Sequence, residues 1–472
     1  MIIERLVIME DSRIRINKII LCDLKSVSYG VIDLNSTDSL RKEKANIMGL
    51  YGQNASGKTV VIEALAIIKH AMSGEKIPHR YLESIANGKD ECSIEVEFSV
   101  IVGEPALDCT AIYKCTLGRR NDPNENDENP KKIIAVINES LRARGIASSK
   151  KFILQDFART DEGCQLILPV EKCNLLFGTD PNTLKTLEQQ KILALYGSRS
   201  FIFSSQALNA MATRLLEKNN ANWHFRLFVY LYMYARCQLF VVDERGSRID
   251  FHIIDKNTQF MMPRKIPLLQ SNDSGVPRAW IKDIEALLPH LNNVLSSIVP
   301  GLMLVFKSEK ISLDENDDMY RLEFFSHREG LGDIPLRNES LGIKKIVSFI
   351  VLIAEVYNNP SFTLAIDEMD ASIFEYLLGE ILSIMSSSGK GQLLFTSHNL
   401  CPLEKLDSRF IWFTTSDPQN RYTQMTKKAT NNLRDMYLRA IQLGHEDKEL
   451  YNGDSKHAIA YTFRQMGRNG DG

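Results

Sequence analysis

The sequence predicts an α/β fold: a mixed sheet flanked by helices, an N-terminal antiparallel β subdomain and an inserted helical/α+β lobe. Three observations predict it. A glycine-containing loop, Gly52–Thr59, stands between a buried apolar strand at 47–51 and an apolar-periodic helix from Lys58 to about Met72. A strand–helix–strand unit follows over 362–396, and such a crossover requires parallel strands. Alternating apolar and polar residues at 94–100, 107–117 and 133–139 read as an antiparallel meander.

The elements follow in order. Residues 14–21 and 31–34 are short strands that lead into the strand and helix around the loop. The polar stretch 118–130 (GRRNDPNENDENP) is an exposed hairpin tip. Mixed short elements over 151–205 end in an apolar strand, Phe201–Ser204, before a helical stretch at 207–236. Strands at 238–254 and 261–269 precede an amphipathic helix at 280–298, and strands at 302–307 and 319–325 flank an acidic turn, Asp314–Asp318. Helix 342–357, strand 362–366, helix 373–386, strand 392–396 and a strand near 409–414 complete the pattern, and a charged helical tail starts at Thr426. The implied organisation is a first part of the head over 1–145, an inserted lobe over 146–330, the second part of the head over 331–425 and a tail over 426–472.

Composition narrows the function. At 472 residues, two or three packed lobes are expected, and 44 % hydrophobic with 25 % charged residues excludes disorder. Fifty-seven Lys plus Arg against 59 Asp plus Glu gives a formal charge of −2, which excludes coating nucleic acid by bulk electrostatics. A local patch such as Arg142, Arg144, Lys150 and Lys151 would have to carry any such contact, and a solvated face is the better account of so short a run. The eight cysteines form no Cys-x-x-Cys pair and read as reduced thiols. No secretory signal is visible, and the longest nearly apolar run, Ile346–Tyr357, falls short of the roughly 20 residues of a membrane span. A cytoplasmic location without membrane contact is expected.

Gly52-Gln53-Asn54-Ala55-Ser56-Gly57-Lys58-Thr59 fits G-x-x-x-x-G-K-[ST]. Its glycines let successive backbone N–H groups turn inward on a phosphate, and the helix N-terminus adds partial positive charge. Lys58 reaches the outer phosphates and the Thr59 hydroxyl is a Mg²⁺ ligand. A glycine turn beside a helix is the plain alternative, but the strand–loop–helix setting favours the phosphate loop. Thr363-Leu364-Ala365-Ile366-Asp367-Glu368 is an apolar strand ending in two acids. Asp367 is placed to hold magnesium and Glu368 to polarise the attacking water. Strand Gln392–Thr396 ends in Ser397-His398-Asn399, so His398 emerges on the same sheet edge as Glu368.

Together these pieces resemble the ATPase head shared by SMC proteins, RecF, Rad-type repair ATPases and ABC transporters, with ATP and Mg²⁺ as cofactors. The wide spacing of Lys58 from Asp367 is unlike ring-forming AAA+ modules. Asn338-Glu339-Ser340-Leu341-Gly342-Ile343 occupies the signature slot and resembles the E-S-x-G-T form of RecF-like and OLD-like bacterial ATPases, with Ile343 in place of the usual Thr. The resemblance implies that Ser340 and Gly342 act in trans on the γ-phosphate held by another copy, in a head-to-tail dimer or higher homo-oligomer. It also implies that Asp370 lies in the loop joining paired sites, that Lys25 approaches the nucleotide and that Gln206 senses the magnesium. Asp367–Ser372 fits the OLD-like branch, although Phe374 stands where a histidine often follows, and the tail Asn432–Leu438 is similar to that branch as well.

Many such ATPases belong to anti-phage systems of the PARIS, Septu, Gabija and abortive-infection kinds. The stretch after His398 is too short for an appended Toprim nuclease domain. A separate effector encoded nearby, nuclease or Toprim-like, is therefore expected, with a phage protein or DNA as a candidate trigger. The competing expectation is a RecF-like DNA-repair ATPase. A transporter subunit and a non-catalytic interaction protein are weaker alternatives.

Overall fold

The computed structural model describes residues 12–103, 106–122, 131–163, 166–218, 223–242, 250–254, 263–267, 275–311, 319–371, 375–424, 433–435, 437–438 and 462. Four layers stack through the head. The outermost is a six-stranded antiparallel sheet in the order Val27–Asp33, Ser12–Leu24, Glu91–Val102, Leu107–Asn121, Lys132–Ala147 and Lys150–Asp161. Beneath it lie the phosphate-loop helix, Lys58–Met72, and helix Trp223–Cys237. The third layer is a second six-stranded sheet in the order Tyr422–Thr423, Ile411–Thr414, Asn46–Tyr51, Gln392–Thr396, Thr363–Ile366 and Leu239–Val242. Helices Leu341–Asn358 and Glu375–Ser388 cover its other face.

The period of two in a strand explains how one sheet feeds two cores. Met48, Leu50, Ala365 and Leu394 join the core shared with the phosphate-loop helix and the antiparallel sheet. Their neighbours Ile47, Tyr51, Leu364, Ile366, Leu393 and Phe395 join the core beneath the outer helices. A helix pressed between two sheets must be apolar nearly all round, and the phosphate-loop helix buries Val60, Val61, Ile62, Ala64, Leu65, Ile67 and Ile68. Arg15, itself fully buried, rivets the layers. Its guanidinium donates to the carbonyls of Pro360 at 2.7 Å, Lys44 at 2.7 Å and Lys390, and to the Ser39 hydroxyl at 3.1 Å.

A third, smaller core belongs to the lobe. Strands Met303–Lys310, Met319–Arg328, Val276–Pro277 and Gly332–Pro335 form an antiparallel sheet against the 21-residue helix Arg278–Ile298. Strands Asp250–Ile254 and Pro263–Pro267 pair beside it. Helix Leu341–Asn358 is common to lobe and head. Its Val347, Ile350 and Val351 enter the lobe core, while Phe349, Leu352 and Val356 enter the head core.

Several expectations are corrected. Strand Lys132–Ala147 runs through position 145 and pairs with Lys150–Asp161, so no lobe begins at 146. Helix Trp223–Cys237 and strand Leu239–Val242 belong to the head, which leaves a lobe of about 250–336. Phe201–Ser204 is a turn, because the buried Glu139 carboxylate takes the N–H groups of Phe201 at 2.7 Å and Ile202 at 2.9 Å that a strand would offer a neighbour. The helical stretch at 207–236 is two helices, Ser205–Lys218 and Trp223–Cys237. The turn at 314–318, the hairpin tip at 123–130, Phe374 and most of the tail from Thr426 lie outside the described residues. Among the described residues no helix is long and apolar enough to cross a membrane.

Candidate functional site

Register assembles the site. In the parallel sheet Leu50 lies opposite Thr396, and Ile366 lies opposite both Phe395 and Val242. Four strands therefore finish together, and Gly52, Asp367 and Ser397 all leave the sheet at one carboxyl edge, where ligands of open α/β sheets bind.

The loop geometry demands its glycines. Gly52 adopts φ 156°, and a Cβ there would stand 1.7 Å from Thr414 Oγ1. Gly57 has φ 98° at the cap of the helix, where a Cβ would meet Val27 Cγ2 at 3.0 Å. Hydroxyls brace the bend. Ser56 Oγ donates to the Gln53 carbonyl at 2.7 Å and sits 2.6 Å from Thr414 Oγ1, and the Tyr422 hydroxyl donates to the Gly57 carbonyl at 2.9 Å. The Lys58 ammonium folds onto the loop, donating to the carbonyls of Gly52 at 2.8 Å and Gln53 at 2.6 Å. Burial lowers its pKa, opposed by the carboxylates of Asp367, Glu368 and Asp370. A lysine ringed by loop carbonyls and facing three acids is placed to exchange those partners for phosphate oxygens.

Asp367 is buried at the end of its strand, and its backbone N–H donates to the Val242 carbonyl at 3.0 Å. Its Oδ1 receives the Thr396 hydroxyl at 2.6 Å and the Thr59 hydroxyl at 3.3 Å. Glu368 adopts φ 49°, a left-handed conformation uncommon outside glycine, and its N–H donates to Thr396 Oγ1 at 2.8 Å. Asp370 Oδ2 accepts the backbone N–H groups of His398 at 2.9 Å and Asn399 at 2.8 Å, fixing the turn that displays His398. Burial and then the Lys58 charge push the His398 imidazole down, opposed by Asp370 and Asp367. A lowered pKa keeps it neutral, able to donate from one nitrogen and accept at the other.

Thr59 and Asp367 suit a divalent cation, with a hydroxyl and a carboxylate at touching distance. Among the described residues no three His, Cys, Asp or Glu side chains gather as a metal site. A cation here would complete its shell with water and phosphate oxygens, as Mg²⁺ at phosphate loops does.

Gly52–Thr59, Asp367, Glu368, Asp370 and His398 thus converge on one edge. Three further predicted groups have these surroundings. Ser340 caps helix Leu341–Asn358, accepting the Ile343 N–H at 3.4 Å, and its own N–H donates to Glu339 at 3.2 Å. Ser340 is exposed, as is Leu341 beside it. Glu339 is anchored in turn by Ser326 at 2.6 Å and Arg328 at 3.0 Å. The Lys25 ammonium is engaged by the buried Glu63, one turn beyond Thr59. Gln206 is exposed beside Ser205, just after the turn whose Phe203 carbonyl lies 2.5 Å from a Cβ built on Gly74. Gly74 follows the far end of the phosphate-loop helix, about 20 Å along its axis from Thr59. Gln206 is therefore not brought to the Thr59–Asp367 pair.

Sequence reasoning missed Thr396, Thr414 and Tyr422. Thr396 left one signal, a hydroxyl closing an otherwise apolar strand end next to Ser397 and His398.

No family model matches the sequence, and no curated protein matches it. Among solved structures, an SMC head bound to the C-terminal winged-helix domain of ScpA is similar at 11 % identity over 88 % of this chain and 98 % of that one, with a TM-score of 0.39. The SMC head domain from Thermotoga maritima is 15 % identical over 88 % and 100 %, with a TM-score of 0.33. The recombination mediator protein RecF-ATPrS of the RecFOR pathway is 10 % identical over 88 % of this chain and 99 % of that one, with a TM-score of 0.34. At such TM-scores these likenesses add nothing to the topology described above.

Proposed function

We propose that the chain is an ABC-type ATPase that binds ATP and Mg²⁺ at this edge, hydrolyses the nucleotide between paired copies, and serves as the sensor or regulatory component of an anti-phage system controlling a separate effector. One observation carries the enzymatic part: the register that delivers Lys58, Thr59, Asp367, Glu368 and His398 to one sheet edge. Mg²⁺, when bound, would supply charge neutralisation at the phosphates.

The chain's own groups do the rest. Loop N–H groups from Gly52 to Thr59 and the helix N-terminus cradle the β-phosphate, and Lys58 spans the outer phosphates. Thr59 and Asp367, whose side chains touch at 3.3 Å, would hold the cation. Glu368 takes a proton from water as its oxygen bonds to the γ-phosphorus and the bond to the bridging oxygen breaks. His398 holds a γ-phosphate oxygen. Ser340, exposed at a helix N-terminus, and the half-buried Gly342 meet the nucleotide of a second copy, so ATP favours the closed pair by its difference in affinity for the two states.

The regulatory part is supported by the resemblance of Asn338–Ile343 and Asp367–Ser372 to OLD-like ATPases. Glu368→Gln is expected to accumulate an ATP-bound dimer by size-exclusion chromatography with light scattering; a monomer with and without ATP would sink the paired-site reading. Loss of phage protection in cells carrying Lys58→Ala, with the neighbouring effector intact, tests the defence role.

One observation favours the alternative, a RecF/SMC-like DNA-repair ATPase. Arg144, Lys150 and Lys151 are exposed together on one hairpin, whereas Arg142 is paired with Glu95 at 2.9 Å. Salt-sensitive DNA binding that strengthens with ATP and weakens on replacing these three would support it.

A further inference from the structure

We infer that Thr396 is a positioning residue that sets both members of the Asp367–Glu368 pair through one side chain, an inference that rests on the proposed ATPase reading. Thr396 is 1 % exposed and ends the strand lying between the phosphate-loop strand and the acid strand. Its hydroxyl has one proton and two lone pairs. The Glu368 N–H, at 2.8 Å, occupies a lone pair, so the proton goes to Asp367 Oδ1 at 2.6 Å. The Thr396 carbonyl accepts the N–H of Met369 at 3.0 Å, and Met369 is fully buried. One residue thus grips three in succession: a side chain, then two backbone N–H groups.

Each grip has a chemical consequence. Asp367 Oδ1 is shared by Thr396 and, at 3.3 Å, by Thr59. When the Thr59 hydroxyl turns to a cation, Thr396 alone remains to hold Oδ1. Both hydroxyls bond Oδ1, and Oδ2 would stay available toward the cation. The bond to the Glu368 N–H anchors a backbone at φ 49°, a conformation that a non-glycine residue keeps only where its surroundings hold it. That conformation aims the Glu368 carboxylate. A hydroxyl joining the metal-side acid to the base-side acid makes metal binding and water activation depend on the same group.

The test compares Thr396→Val, which keeps the shape and deletes the hydroxyl, with Thr396→Ser, which keeps the hydroxyl, in the full chain with ATP and Mg²⁺. Thr396→Val is expected to lower kcat by about 10–100-fold and to raise the Mg²⁺ concentration for half-maximal rate, while KM for ATP stays within about twofold. Thr396→Ser is expected to restore most of the rate. Wild-type kcat and Mg²⁺ dependence in Thr396→Val would overturn the inference, as would Ser and Val variants crippled alike. Should Thr396→Val fail to fold, Thr396→Ala set against Thr396→Ser gives the same comparison. Wild-type protein that neither binds nor hydrolyses ATP would remove the ATPase reading and this inference with it. An active wild type with an unaffected Val variant removes only the role of Thr396.

Discussion

The head and the lobe solve the same packing problem in opposite ways. The head stacks four layers with a parallel sheet buried on both faces, and its strand ends meet because Leu50, Thr396 and Ile366 are locked in register. The lobe leans a small antiparallel sheet on one long helix, its strand Met303–Lys310 largely exposed outside Leu304. A sheet buried on both faces cannot slip by one residue without turning an entire core outward. Fixed geometry is what a phosphate site needs, and the head has it. Among the described residues, helix Leu341–Asn358 is the element that contributes to both the head core and the lobe core.

The largest way to break this contrast is at Arg15. Arg15→Ala empties a fully buried site and removes the donor of part-buried acceptors on Pro360, Lys44, Lys390 and Ser39, and is expected to cost about 3–5 kcal/mol. Hydrogen exchange would rise across 12–24 and 392–396 while 303–310 stays as in the wild type. Phe324→Ala is the mirror experiment. It empties a lobe-core position only 2 % exposed and is expected to cost the lobe about 3 kcal/mol, raising exchange over 303–310 and 319–328 and sparing 46–51. Exchange rising equally in both regions for either variant would show that they unfold as one unit.

A pH series sharpens the comparison further. Burial and the Lys172 ammonium, whose Nζ lies 3.0 Å from the ring nitrogen, push the His224 imidazole down to about 4. The unfolded chain takes up that proton at about pH 6.5, before the folded one does. The stability this neutral histidine contributes is therefore full above pH 6.5 and lost as pH falls toward 4. Urea midpoints for the head should fall through that window, and His224→Gln should shallow the fall. The smallest effect is expected at Gln206. Because it sits at the far end of the phosphate-loop helix, Gln206→Ala should leave the Mg²⁺ dependence of turnover within about twofold of wild type.

What the sequence makes legible follows from local physics. Gly52–Thr59, helix Lys58–Met72, strand Gln392–Thr396 and the paired acids all announce themselves through period and punctuation, and the structure places them on one edge. The misread parts depend on distant partners. Phe201-Ile202-Phe203 is apolar enough for a strand, yet Glu139, far away in sequence, takes its N–H groups. The partner of Lys25, the buried Glu63 on the phosphate-loop helix, is likewise invisible in the local sequence. Thr396 looks like one more sheet residue, and its role exists only through the side-by-side alignment with Thr363–Ile366.

Helix Leu341–Asn358 has one flank in each core and an exposed serine and leucine at its tip. Close-packed interiors transmit displacement instead of absorbing it. A load on the lobe core would therefore bear on this helix, whose exposed tip carries Ser340.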